Sequence, residues 1–167
     1  MLVYNSAFDI YHCMFRIILL LNACPQNKIE YERARIFDYF FAFPQRAQEI
    51  KLQRGCGFTK KTFKLETTHY QEIQDDKQIF FEMSKIFEGA VRCLAAYGEI
   101  EPTKLSVGTI VQKNNSLSEK INAHFGEIDP LRQSILELFS GPFYNLELTG
   151  ANGLKARSGL MEFRYDL

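Results

Sequence analysis

Phe87-Glu88-Gly89-Ala90-Val91-Arg92-Cys93-Leu94-Ala95-Ala96-Tyr97-Gly98, followed by Glu99-Ile100-Glu101-Pro102-Thr103-Lys104-Leu105-Ser106-Val107-Gly108-Thr109-Ile110-Val111, is where the chain changes period. Before Gly98 the residues Phe80, Met83, Phe87, Ala90, Val91 and Leu94 fall at helical spacing, one apolar stripe along a long helix. Gly98 stands where a glycine closes a helix. Beyond it Ile100, Leu105, Val107, Ile110 and Val111 are strand formers, with Pro102-Thr103 and Gly108 as turn signals. The change predicts a small β-hairpin over 99–113 directly after the helix.

Upstream, the long helix is expected over about 70–97, with a break near Asp75-Asp76. A first helix, capped by Asn5 or Ser6, runs to about Asn22. Its stripe of Phe8, Tyr11, Phe15, Ile18 and Leu19 is widened by Met14, Ile17 and Leu21, so burial on most sides is expected. Cys24-Pro25-Gln26-Asn27 is a break. A second helix is expected over 29–42, with Glu30, Glu32, Arg33 and Arg35 on its polar face and Ile36, Phe37, Tyr39, Phe40 and Phe41 on an aromatic one. Pro44 ends it, since proline disfavours helical geometry in the residue before it, and can open a short third helix over 45–52.

Downstream, Ser116-Leu117-Ser118-Glu119 has the form of a capping box, and Asp129-Pro130 is a cap followed by a first-turn proline. Leu131, Ile135, Leu138 and Phe139 make the stripe of the helix that follows, which ends at Gly141-Pro142. In the tail, Phe163, Tyr165 and Leu167 alternate with Glu162, Arg164 and Asp166. That is a strand pattern, either a last strand of the domain or a segment added to a partner's sheet edge. The fold class expected is mainly α with a small β-hairpin (α+β): a winged-helix-like core over 1–113, then C-terminal helices and a strand-like tail over 114–167, packed as one globular unit. Helices followed by a hairpin are the order of a winged-helix unit, in which the hairpin is the wing.

Composition narrows function. The 167 residues are 46% hydrophobic, enough for a sizeable core. Twenty basic residues balance twenty acidic ones, which excludes a polycationic nucleic-acid coat and an acidic tail protein. Fifteen Phe and eight Tyr without Trp are a rich aromatic supply for a core or an interface. The apolar block 17–21 is far short of the roughly 20 residues that span a bilayer, and Arg16 before it makes an export signal a poor fit. The location expected is cytoplasmic, with no membrane contact. Cys13, Cys24, Cys56 and Cys93 form no C-x-x-C pair and read as free thiols in a reducing compartment.

No catalytic, cofactor or metal constellation stands out. His12 lies on a largely buried helix, His69 in a polar linker and His124 near a helix end. Asp75-Asp76 with Glu72 reads as a solvated helix start, and Gly150-x-x-Gly153 lacks the setting of a phosphate loop. The one marked charge imbalance lies over 51–64: Lys51, Arg54, Lys60, Lys61 and Lys64, with no acid until Glu66. It reads as a solvated loop or as a contact to a phosphate backbone or an acidic partner. The helix before the hairpin carries Glu82, Lys85, Glu88 and Arg92, too balanced for a DNA-reading helix.

Arg35-Ile36-Phe37-Asp38-Tyr39-Phe40-Phe41 with Pro44, the segment 87–100, the strand residues Thr109-Ile110-Val111 and the two later helices together resemble the middle components of bacterial three-component ABC ATPase systems. The resemblance covers roughly residues 4–140. It implies a small, non-catalytic, winged-helix-type subunit that bridges an SMC- or Rad50-like ATPase and an effector, often a nuclease, as in the Lamassu anti-phage and anti-plasmid systems. Aromatic anchors for such partners are expected at Phe37, Phe40 and Phe41 or at Phe163, Tyr165 and Leu167. The alternatives are a winged-helix DNA-binding transcriptional regulator, touching DNA through Lys51, Arg54, Lys60, Lys61 and Lys64, and a small enzyme or cofactor binder.

Overall fold

The computed structural model of the chain describes residues 4–64 and 75–164. Helix α1 spans Ile10–Ala23. Asp9 caps it, its Oδ1 accepting the His12 N–H at 3.0 Å. Asn5 instead caps a separate 3₁₀ turn, Ser6–Phe8. The chain thus enters α1 several residues later than the apolar stripe predicts. Cys13, Met14, Arg16, Ile17, Ile18, Leu20 and Leu21 are interior, but of the expected stripe only Ile18 is fully buried: Phe8, Phe15 and Leu19 are half-buried and Tyr11 is exposed.

The largest departure from the sequence reading is the sheet. The expected hairpin over 99–113 does not form as a local unit. Strand β1, Lys28–Glu30, precedes helix α2, Tyr31–Ala42. It pairs antiparallel with β2, Thr109–Val111, in the register Lys28↔Val111, Ile29↔Ile110, Glu30↔Thr109. Residue Ile100 adds only an isolated bridge to Gln112. Between them Pro102–Leu105 is a helical turn, α4, with proline in its first turn, where its missing N–H costs nothing. The pairing wins because it points Ile29 and Ile110 together into the core, both almost fully buried. A three-residue strand is too short to show alternation, so in the sequence pattern β1 merges with the start of α2.

Helix α3, Asp76–Ala96, buries the predicted stripe of Phe80, Met83, Phe87, Ala90, Val91 and Leu94. Asp75 caps it through the Lys77 and Gln78 N–H groups. Gly98, with φ +75°, follows it in the left-handed geometry that glycine adopts without penalty. The segment 70–74, where this helix was expected to begin, lies outside the described residues. The short third helix is a 3₁₀ turn, Pro44–Glu49, and a second such turn, Lys60–Phe63, packs against it.

Helices α5, Ser116–Phe125, and α6, Pro130–Ser140, follow. Asp129 caps α6 as the Asp-Pro signal predicts. The expected capping box of α5 is absent. Asn115 is its cap residue, and the nearly buried Glu99 takes the helix end, accepting from the Ser116 hydroxyl at 2.5 Å and the Leu117 N–H at 3.4 Å. A carboxylate there also meets the positive end of the helix dipole. Both α5 and α6 pack on α1, and α6 also packs on α2.

The tail differs too. Residues 161–164 carry no strand, and Tyr165 and Leu167 lie outside the described residues. A short helix the sequence reading missed, α7, Leu154–Ser158, sits between Gly153 and Gly159 and seats Leu154 and Leu160 in the core. Gly153 is required by contact: a Cβ there would lie 2.0 Å from the Thr149 carbonyl oxygen.

Candidate functional site

The aromatic face of α2 is interior. Phe37, Phe40 and Phe41 are almost wholly buried, because α1, α3 and α6 all pack on α2. Phe37 meets Phe139 of α6 edge-on with ring centroids 5.6 Å apart, and Phe139 meets Phe143 at 5.5 Å. Burying each such ring contributes about 1.5–3 kcal/mol. The expected docking role of Phe37, Phe40 and Phe41 is therefore replaced by a core role. Phe163 is half-buried beneath the Arg164 guanidinium, 5.8 Å from the ring centroid. Tyr165 and Leu167, the other expected anchors, lie outside the described residues.

Large apolar side chains do reach solvent elsewhere. Tyr4 and Tyr11 flank the start of α1, Phe81 stands on α3, Tyr97 at its end, and Val107 at the turn between α4 and β2. Spacing does not mark these positions, and for Tyr11 it misleads, since the stripe expected of the first helix includes it.

Charge in the interior is held by arginines that brace the backbone. Arg16 pairs with Asp38, Nε to Oδ1 at 2.5 Å, and donates to the Ser6 and Ala7 carbonyls. The Cys13 thiol also donates to Asp38. Burial pushes Asp38 up from the usual carboxylate range, and the Arg16 guanidinium pulls against it. Arg33 donates to the Phe143 and Leu146 carbonyls and to Glu30. Tyr144 then donates to the Lys28 and Pro25 carbonyls, so residues 143–146 are fastened beside β1. A shallow groove of about 390 Å³ runs between this segment and β1, lined by Lys28, Glu30, Tyr144 and Glu147 among others. Arg33 in its wall is engaged by Glu30 and by the Phe143 and Leu146 carbonyls.

The Cys13 and Cys24 thiols are poor nucleophiles. Burial pushes Cys13 well above its ordinary value, and Cys24 up to about 12 against the pull of Arg33. His12 is half-buried and its ring lies 6.1 Å from that of Tyr4. His69 lies outside the described residues. Among the described residues no three of His, Cys, Asp or Glu group so as to hold a metal, and no helix is long and apolar enough to cross a membrane.

The basic residues named from sequence are all at the surface. Lys51, Arg54, Lys60, Lys61 and Lys64 are exposed, and none makes an ion pair among the described residues. The fold anchors both ends of this segment. The Lys60–Phe63 turn packs on the Pro44–Glu49 turn, and Phe63 is buried between elements while stacking on Phe58 at 6.2 Å. Sequence distance hides one more contributor: Arg157 of α7 donates to the Lys51 carbonyl at 2.9 Å and accepts the Lys51 N–H at its own carbonyl at 3.0 Å. The outward face of α3 is balanced, with Arg92 paired to Glu88 at 2.5 Å.

The molecule thus presents dispersed apolar side chains and one cationic region on a tightly braced helical body. Neither the curated proteins nor the solved structures hold a significant match to it. One family model, that of the ABC-three component (ABC-3C) system Middle Component 5, matches residues 2–166, nearly the whole chain, and the chain belongs to that family.

Proposed function

We propose that this chain is a non-catalytic adaptor. It joins an SMC- or Rad50-like ABC ATPase to an effector subunit, a nuclease, in a cytoplasmic defence complex of the Lamassu type. Membership of a middle-component family over residues 2–166 carries the reading, since a middle component works among other components. Its core is read as winged-helix-like on three grounds. A strand stands between the first two helices, it pairs with the strand after α3, and a short bridged segment at Ile100 lies between α3 and that strand. The exposed Tyr4, Tyr11, Phe81, Tyr97 and Val107 are the side chains fitted to anchor partners, because an aromatic or aliphatic group already in water gains most from burial.

Co-purification with the ATPase and effector encoded beside it tests the proposal. The full chain is expected to hold both. Truncation should be made after Arg164 and not earlier, because Leu160 is a core residue whose loss would disturb the fold. Loss of a partner on that truncation would place its interface on residues 165–167. Loss on Tyr4→Ala with Tyr11→Ala, or on Phe81→Ala, would place it on the helical body. A monomer that binds neither partner overturns the adaptor. The regulator alternative would then require sequence-specific DNA binding, for which the balanced face of α3 offers little.

A further inference from the structure

We propose that the region built from residues 51–64 and α7 is a sequence-independent binding surface for the phosphate backbone of nucleic acid. The proposal does not depend on the adaptor reading.

Three observations carry it. First, Lys51, Arg54, Lys60, Lys61 and Lys64 are exposed and make no ion pair among the described residues, in a chain whose net charge is zero. Elsewhere, Arg16, Arg33, Arg35, Arg46, Arg92 and Arg132 are each matched to a carboxylate. Over residues 51–64 five such cations fall within fourteen positions, and no acid falls among them. Second, the surface is assembled by tertiary contacts. The two 3₁₀ turns pack together, and the paired hydrogen bonds between Lys51 and Arg157 hold α7 beside the residues that follow the first turn, adding a guanidinium whose partners are carbonyl oxygens of Lys51 and Asn152. Among the described residues, Glu49 and Asp76 line the groove beside Lys51 and Arg157, and Asp76 is already taken by Arg46 at 3.2 Å and by the Tyr39 hydroxyl at 2.7 Å.

Third, the aromatic residues of this region face inward: Phe63 is fully buried and Phe58 half-buried against it. Protein interfaces take most of their affinity from apolar or aromatic anchors that enter a pocket. A surface whose cations over 51–64 make no ion pair among the described residues, with its rings turned away, lacks those anchors. Phosphate binding requires only fixed positive charge and the release of condensed counterions. With no side chain arranged to read base edges, the binding is expected to be indifferent to sequence.

The test is fluorescence anisotropy of a labelled random-sequence DNA duplex with the full chain, between about 50 and 200 mM salt. The expected result is binding that weakens linearly with salt on logarithmic axes. Each phosphate contact contributes about 0.9 to that slope, so K60Q, K61Q and K64Q together should flatten it by about 2.7. The melting temperature should stay unchanged, because these side chains are exposed and make no ion pair among the described residues. A control with K85Q, K104Q and K113Q removes equal charge elsewhere and should keep the slope. No binding at low salt overturns the proposal, and so does an equal loss in the control, which would reduce it to net charge. A polyglutamate chain of matched charge that displaces the duplex would also overturn it and assign the surface to an acidic protein.

Discussion

Arg16 and Lys61 carry the same charge in opposite surroundings. Arg16 is 4% exposed and spends its donors on Asp38 and on two carbonyl oxygens at the entrance to α1. Lys61 is exposed on a 3₁₀ turn and makes no ion pair among the described residues. In the interior a charge persists only where its counter-charge and hydrogen bonds are complete, since an unpaired ion there is very costly. At the surface water satisfies the ammonium group, so its position is not dictated by the fold. Charge that the fold does not use, gathered in one place, is charge available to a partner. The interior arginines explain stability, and the surface cations are where function is to be sought.

The contrast is broken most severely from the inside. Asp38→Ala strands Arg16 and should cost about 3–5 kcal/mol in urea denaturation. Replacing the pair together, Arg16→Met with Asp38→Leu, should recover most of that loss. A single-mutant cost no larger than that of a surface charge would remove the distinction. Phe139→Ala probes the apolar part of the same interior and should also cost about 3–5 kcal/mol. Phe81→Ala on the exposed face of α3 should stay within about 0.5 kcal/mol.

Arg33→Met is the next step down. It leaves the Phe143 and Leu146 carbonyls without their charged donor, and should cost about 1.5–3 kcal/mol. Hydrogen exchange should speed up over residues 143–148 before it does in α2. Unchanged exchange there would show that Tyr144 alone fastens the segment.

The helix caps respond to acid. The His12 backbone N–H, first among its partners, holds Asp9 below its ordinary 3.8. For Asp129 burial pushes upward, but the Arg132 side chain and backbone N–H outweigh it and also leave it low. A carboxylate lowered on folding adds stability above its unfolded value. That stability drains away as the pH falls through the lower folded value. Asp9→Ala and Asp129→Ala should each cost about 1 kcal/mol at neutral pH. The cost should shrink below pH 3.8, where the native caps become protonated. A cost that stays constant to low pH would assign the effect to packing. The smallest stability change, within about 0.5 kcal/mol, is expected for K60Q with K61Q and K64Q. A large one would mean that these lysines support the fold after all.

What the amino-acid sequence determined by itself was whatever local forces decide. The stripe of α3, its closing Gly98, the Asp-Pro start of α6 and the stop at Pro44 all follow from neighbours a few residues apart, and the family resemblance rested on these same segments. The clustering of positive charge over 51–64 was legible for the same reason. Only the tertiary structure decided the rest. β1 exists because Ile29 meets Ile110 across the chain, and three residues carry no alternation of their own to announce it. Whether Phe37, Phe40 and Phe41 face a partner or the core depends on how many helices surround α2, and periodicity is silent on that number. The acceptor at the start of α5 is Glu99, and the brace of the basic region is Arg157. Both are supplied from a distance, because a buried donor or acceptor takes its partner from whichever segment packing brings to it.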